Sequence, residues 1–310
     1  CGMEVILIPQ FDPNKFDELL LENKPNHMVG VPSHYGNIIH SKKLKNEDLS
    51  YVIAPTVGGD KMDENLEKET NEFLHEHNCE YKVVKGYGMT EVNAAVAACT
   101  SNETNKIGSV GIPFPNTTIS IFDPKTGEEL GYNEKGEVCI TGPNTMLGYF
   151  NNDEETNKIL RKHEDGNVWV HSGDIGYMDA DGNLYIVDRL KRMIIRPDGF
   201  KIFPSLIEDV VVKHPLVQSC KVVGLRDFSF SQGKLPKVHA VLNETDRNPE
   251  AIENEILMLC EEQLPEYYWP CEIEFNESLP LTPIGKIDYL KLEKEDYEKQ
   301  LAATKKLVKK

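Results

Sequence analysis

Short apolar runs that stop at glycine and give way to a helical period constrain the first hundred residues most. The run over 51–54 leads to Gly58-Gly59, after which Asp63 opens a periodic helix to about 77. The run over 81–85 leads to Gly86-Tyr87-Gly88. An apolar strand is also expected over 5–8, before a helix over 13–21 that Asp12 can cap. Strand, glycine turn and helix is the order of an α/β layered domain, whose ligands collect at the carboxyl ends of strands. Gly58, Gly59, Gly86 and Gly88 fall where such a ligand would sit.

The pattern changes near Gly108. Short strands are expected over 119–122, 136–142, 168–171, 177–178 and 184–187, with turns at Asp123-Pro124-Lys125-Thr126-Gly127 and Asp179-Ala180-Asp181-Gly182. They predict a small antiparallel β-barrel or sheet. After Asp188 comes an α+β segment: helices over 205–213, 249–263 and 289–302, and strands over 220–224, 238–242 and 272–275. At about 150 residues per domain, the 310 residues suggest two domains. The expected division is a partial large α/β layered domain over 1–188 and a small α+β lid over 189–310. The large part would comprise α/β residues 1–107 and the β-barrel 108–188.

A net charge of −17 repels phosphate backbones and anionic lipid, which argues against a dedicated nucleic-acid or membrane-surface protein but leaves room for a local anion site. The longest apolar run, over 94–99, falls far short of the roughly 18 residues a span requires. Seven scattered cysteines with no CxxC pair read as reduced thiols of a cytoplasmic protein. Cys1-Gly2 running straight into an apolar stretch reads as a cut inside a larger protein.

Four segments carry chemistry. Gly86-Tyr87-Gly88-Met89-Thr90-Glu91 offers an aromatic face for a purine, a hydroxyl for a phosphate and a hard carboxylate for Mg²⁺; alone, it reads equally as a helix start capped by Thr90. Val170-His171-Ser172-Gly173-Asp174-Ile175-Gly176 sets one carboxylate between two glycines at a strand end, suited to two ribose hydroxyls or to an ordinary β-turn. Asp188-Arg189-Leu190-Lys191-Arg192 is a hinge or a solvated charged linker. Pro280-Leu281-Thr282-Pro283-Ile284-Gly285-Lys286 presents a Lys on a stiffened loop, either a point charge for a phosphate or a surface residue.

In this order and spacing the four segments resemble the adenylate-forming superfamily of acyl-CoA synthetases, peptide-synthetase adenylation domains and firefly luciferase. The resemblance covers essentially the whole chain. It implies that two domains close on ATP and a carboxylic acid to make an acyl-adenylate and pyrophosphate, and that the small domain then swings to admit a thiol. It further implies that Gly58, Gly59 and Tyr87 line the adenine pocket, Thr90 contacts the α-phosphate and Glu91 holds Mg²⁺. Asp174 and Arg189 would bind the ribose of ATP or AMP, Lys191 would be the hinge, and Lys286 would bridge the carboxylate and α-phosphate. Gly199 would approach the pantetheine of CoA.

Two departures stand out. Where the family usually has a second basic residue, four positions after the hinge Lys, this chain has Ile195, followed by Arg196-Pro197-Asp198. The family's Gly/Ser/Thr-rich phosphate loop has no counterpart in the sequence, so a carboxyl-terminal portion of a ligase is expected, with little activity of its own. GYGMTE, HSGDIG and DGFKIFP lean to acid:CoA ligases. The rivals are a freestanding protein that loads a carrier protein and a non-catalytic nucleotide-binding remnant. Fatty and aromatic acids both remain open, as do the thiol acceptor and the oligomeric state.

Overall fold

A computed structural model describes residues 2–9, 11–12, 15–101, 105–226, 232–282 and 286–308, with backbone alone over 303–308. The chain forms two compact units, Cys1–Ile186 and Val187–Lys310. Among the described residues no helix is long and apolar enough to cross a membrane.

The first unit opens with α1 (Phe16–Asn23), β1 (His27–Gly30), α2 (Pro32–Ile39), β2 (Ala54–Val57), α3 (Glu64–Glu76) and β3 (Val84–Met89). β1, β2 and β3 are parallel neighbours, with α2 and α3 as the intervening crossovers. β4 (Ala94–Ala98) and β5 (Ile112–Pro113) extend the sheet antiparallel, in the order β1-β2-β3-β4-β5. α3 starts where expected because the Asp63 carboxylate accepts hydrogen bonds from the Asn65 and Leu66 amides. Its inner face joins Tyr35, Ile38, Leu44, Leu49, Val52 and Val57 in one core through Leu74.

β6 (Thr118–Phe122), β7 (Gly136–Thr141), α4 (Asp153–Ile159), β8 (Leu160–Lys162), β9 (Val168–Met178) and β10 (Leu184–Arg189) follow. The expected barrel is an open sheet, ordered β10-β9-β7-β6 with β8 paired to β9. Its inner residues Ile119, Ile121, Val138, Ile140, Val170 and Leu184 share a core with Tyr87, Val92, Val96 and Ala97 of the first sheet. One hydrophobic interior therefore fixes the two sheets of this unit against each other.

The second unit comprises the hairpin β11 (Ile194–Ile195) and β12 (Lys201–Ile202), then α5 (Pro204–Val211), β13 (Val217–Arg226), β14 (Lys234–Leu242), α6 (Pro249–Gln263), β15 (Glu272–Phe275) and α7 (Tyr289–Val308). β13 runs antiparallel and β15 parallel to β14. α5 and α6 bury Ile207, Val211, Ile252 and Ile256 against Val222, Val238 and Ile273. α7 is fastened by charge: Lys237, buried on β14, donates to Asp296 at 2.8 Å and to Glu274 at 2.7 Å, while the His239 ring bonds Asp296 at 2.8 Å.

Several expectations shift. Residues 5–8 belong to no strand: no described neighbour takes up their backbone groups, and Val5 and Leu7 are 84% and 82% exposed. α1 begins at Phe16 behind Lys15, without a side-chain cap, and it ends at left-handed Lys24 because Pro25 disfavours helical geometry there. The strand expected at 51–54 starts only at Ala54, since the Val52 amide closes a turn onto the Leu49 carbonyl. β3 runs through the glycines read as a turn, because the Ala-rich β4 lies alongside them. β1 and α2 carry too short an apolar signal to stand out in sequence.

The buried Lys85–Glu67 pair joins β3 to α3, and the same Glu67 carboxylate accepts from the Gly108 amide at 3.0 Å. Removing one partner strands the other charge, so Glu67→Ala is expected to cost about 3–5 kcal/mol in urea unfolding. Glu64→Ala, which loses only an exposed pair with Lys68, should cost less than about 1 kcal/mol. Equal losses would contradict the buried pair's role.

Acid stability follows from the same kind of contact. Burial pushes the Asp296 carboxyl up, but its bonds from His239 and Lys237 outweigh this and hold it below its ordinary 3.8. Burial likewise opposes ionisation of Glu208, and Lys221 and Arg192 hold that carboxyl below 4.5. A lowered folded value means stability that is fully present above the ordinary value and drains away as pH falls through the folded one. The unfolding free energy should therefore decline below about pH 4.5, and less steeply in Asp296→Asn. An unchanged acid limb in that variant would contradict the assignment.

Candidate active site

β1 ends on Gly30, Gly58 follows the last residue of β2, and Gly86 follows Lys85, the last β3 residue paired to β2. The Gly58 amide donates to the Gly30 carbonyl at 3.1 Å, and a Cβ built on Gly58 would lie 3.9 Å from the Gly86 carbonyl oxygen. Gly58-Gly59 thus turns away at the carboxyl edge beside Gly86 and Tyr87, where an α/β sheet presents ligand sites. A Cβ on Gly30 would press on the His34 and Tyr35 rings at 3.3 Å, whereas one on Gly58 would meet only the Gly86 carbonyl oxygen within 4 Å, so backbone is most open at Gly58.

β3 and β4 form a hairpin whose tip is a single 3₁₀ turn, Thr90–Val92, with Asn93 left-handed after it. Gly88 cannot be replaced here, because a Cβ would lie 1.8 Å from the Ala94 carbonyl oxygen. The reading of Thr90 as a helix cap fails: the chain reverses into β4, and the turn has no side-chain cap. Thr90 is exposed and Glu91 half-buried. The Tyr149 hydroxyl donates to Glu91 Oε1, and this bond pushes the phenol up to about 12. The Met146 amide donates to the Glu91 carbonyl at 2.8 Å, and the Asn144 side chain donates to the Val92 carbonyl at 3.0 Å. The hairpin tip is thereby held by the loop that follows β7. Tyr149 and Asn144 were not anticipated, and the only sequence hint was the Gly148-Tyr149 pair.

Asp174 lies within β9, not at its end. The β7–β9 ladder passes from Cys139↔His171 to Glu137↔Ile175, so two steps of β7 face four of β9 and the intervening residues bulge. Gly173 at φ +69° makes the bulge possible. It delivers Asp174 to Tyr87, whose hydroxyl donates to Asp174 Oδ2 at 2.7 Å in the buried interior. In the first unit Tyr87 and Asp174 meet across the two sheets, Thr90 and Glu91 follow on the hairpin tip of β3, and Gly58-Gly59 follows β2 beside Gly86.

The remaining candidates belong to the second unit. Arg189 and Lys191 are exposed, on the last residue of β10 and in a 3₁₀ turn over Leu190–Arg192. The segment is no solvated linker, for its other charges are anchored: buried Asp188 accepts from the Ser205 amide at 2.8 Å and from half-buried Arg192 at 3.1 Å, and Arg192 also pairs with Glu208 at 2.5 Å. Gly199, at φ +87°, forms the exposed tip between β11 and β12, where its amide donates to the Arg196 carbonyl at 3.0 Å. Arg196 is occupied by Asp198 at 2.9 Å and by the Tyr267 carbonyl at 3.2 Å. Lys286 sits half-buried where the Thr282 amide donates to its carbonyl at 2.7 Å, and its own amide donates to Thr282 Oγ1 at 3.2 Å. Gly285 and the two residues before it lie outside the described residues.

The donor set at the hairpin tip suits Mg²⁺. The ion takes hard oxygen ligands, commonly one or two carboxylates completed by water and phosphate, and Glu91 beside the Thr90 hydroxyl supplies such a beginning. Two groupings of three possible metal-binding side chains among the described residues, Glu137–Cys139–His171 and His239–Glu274–Asp296, lie elsewhere.

The family model for AMP-binding enzymes matches residues 1–150, and that for the AMP-binding enzyme C-terminal domain matches 206–286. The chain is 34% identical over 297 residues to a long-chain-fatty-acid–CoA ligase of Bacillus subtilis, covering 96% of this chain and 50% of that protein. It is 35% identical to a probable 4-coumarate–CoA ligase 1 of Dictyostelium discoideum, covering 92% and 50%. Among solved structures, ATP-bound MatB from Rhodopseudomonas palustris superposes with a TM-score of 0.79 at 25% identity, covering 93% of this chain and 54% of that one. The amide bond synthetase McbA from Marinactinospora thermotolerans gives 0.78 at 27%, covering 93% and 55%. The chain spans about half the length of the curated relatives it matches. With both family models matched in order and the GYGMTE and HSGD segments meeting at Tyr87 and Asp174, this chain belongs to the adenylate-forming superfamily of AMP-binding enzymes.

Proposed function

We propose that this chain is the nucleotide-handling part of an ATP-dependent acid:CoA ligase. The observation that carries the reading is the buried Tyr87–Asp174 bond, which sets an aromatic ring and a carboxylate side by side next to the exposed Thr90 and the Glu91 carboxylate. A nucleoside monophosphate presents matching groups: a flat base, two vicinal hydroxyls and an anionic phosphate.

In this reading the adenine lies against Tyr87 beside Gly58 and Gly59, and Asp174 accepts from the ribose hydroxyls while Arg189 donates to them. The Thr90 hydroxyl donates to the α-phosphate. Mg²⁺, held through Glu91, would offset the negative charge of the phosphate oxygens. An oxygen of the carboxylic acid bonds to the α-phosphorus, and the bond from that phosphorus to the pyrophosphate oxygen breaks. Two anions must approach, so Lys286 contributes by placing one positive charge at the carboxylate and the α-phosphate. A thiol sulfur then bonds to the acyl carbon, AMP leaves with the acyl oxygen, and the thiol proton passes to solvent. Lys191 would be the pivot between the two steps, and Gly199 the site of backbone approach to the pantetheine of CoA.

The relatives named for long-chain fatty acids and for 4-coumarate match at nearly the same identity, which supports a fatty or an aromatic acid as the substrate.

In the full natural protein, Lys286→Ala should lower ATP–pyrophosphate exchange about a hundredfold to a thousandfold, because the positive charge at the reacting centre is lost. The thioester half-reaction from a supplied acyl-adenylate should be far less affected. Undiminished exchange would contradict the role of Lys286. Thioester formed on a carrier protein and never on CoA would contradict the ligase assignment.

A further inference from the structure

The bulge that carries Asp174 leaves backbone amides without ladder partners, and side chains take them up. The Gly173 amide donates to Glu137 Oε1 at 3.1 Å, and the Asp174 amide donates to Ser172 Oγ at 3.0 Å. Ser172 Oγ in turn donates to the Val138 carbonyl at 2.6 Å. An unpaired buried amide costs about 1–3 kcal/mol, so these contacts decide whether the bulge holds one shape.

Glu137 has a second commitment. Its Oε2 lies 2.8 Å from His171 Nδ1, and both residues are 6% exposed. With Nδ1–H donated to Glu137, the far nitrogen of His171 accepts from His163 Nε2 at 2.9 Å. The His163 ring is wedged against Trp169 at 5.7 Å and Phe122 at 4.7 Å. Burial pushes the Glu137 carboxyl up, but the His171 bond outweighs this and keeps the group ionised. The Cys139 thiol, 3.5 Å from His171 Nδ1, is pushed up by burial and stays neutral. A charged acceptor thus grips the bulge at Gly173 and is itself held by two histidines.

We propose that Glu137 is a positioning residue for the ribose: it fixes the Gly173 peptide so that Asp174 meets Tyr87 and the nucleotide hydroxyls, with His171 and His163 as its brace. This rests on the ribose role given to Asp174 above. Glu137 touches no ligand itself, and it acts one peptide away from the residue that does.

The test compares binding of AMP and of 2′,3′-dideoxy-AMP to this chain by calorimetry. The second ligand lacks the hydroxyls that Asp174 would accept from. Wild type should favour AMP. Glu137→Ala should weaken AMP about tenfold to a hundredfold, the loss expected for a charge-assisted bond, and should leave dideoxy-AMP within about twofold. Glu137→Gln keeps the side chain's shape but gives up its charge, and should lie between wild type and Glu137→Ala. Hydrogen exchange at the Gly173 amide should quicken in both variants. Equal weakening of the two ligands, or AMP binding unchanged in Glu137→Gln, overturns the proposal. If Glu137→Ala does not fold, Glu137→Gln decides. A wild-type chain that binds both ligands equally contradicts instead the ribose role of Asp174.

Discussion

The hydrogen bond from Tyr87 to Asp174 joins two strands that belong to different sheets of the first unit. It can form only if both sheets share one interior, and they do: Tyr87, Val92 and Val96 pack with Ile140, Val170 and Leu184. On one side Gly88 permits β3 to pass tightly against Ala94, and on the other a bulge pushes Asp174 out of the β9 ladder. Both strands thus give up regular pairing at the point where the ring and carboxylate meet. Irregular backbone of this kind persists only where its surroundings fix it, and it collects at functional sites. Here buried carboxylates do the fixing. Glu67, paired with Lys85, holds the start of β3 to α3, while Glu137, bonded to His171, holds the bulge.

Much of this was legible because some residue types declare their backbone. Asp63 marked the start of α3, and Pro249 with its following apolar period marked α6. The order of the GYGMTE, HSGD, DRLKR and PLTPIGK segments by itself resembles the superfamily. What stayed hidden was pairing. Gly86 and Gly88 read as a turn because glycine has low strand propensity, yet the small residues of β4 let them form a tight ladder. The bulge at Gly173 depends on register between β7 and β9, which one strand's sequence does not encode.

Buried charge was the other blind spot. Glu67 sits among Glu64, Lys68 and Glu69 and looks like one more surface residue, but it is 1% exposed because Lys85 and the Gly108 amide reach it from other elements. Lys237, Asp296 and His239 follow the same logic across long separations in the second unit. The segment 188–192 likewise reads as a hinge or charged linker, whereas the fold sorts it into a paired anchor, buried Asp188 with half-buried Arg192, and exposed cations, Arg189 and Lys191.

The most direct test of the account is a crystal structure of this chain with AMP. The adenine should lie against the Tyr87 ring beside Gly58 and Gly59, with a ribose hydroxyl about 2.6–3.0 Å from the Asp174 carboxylate and the phosphate toward Thr90. A nucleotide bound away from Tyr87, or a ribose that leaves Asp174 untouched, would contradict the central claim that the Tyr87–Asp174 pair is built to receive an adenylate.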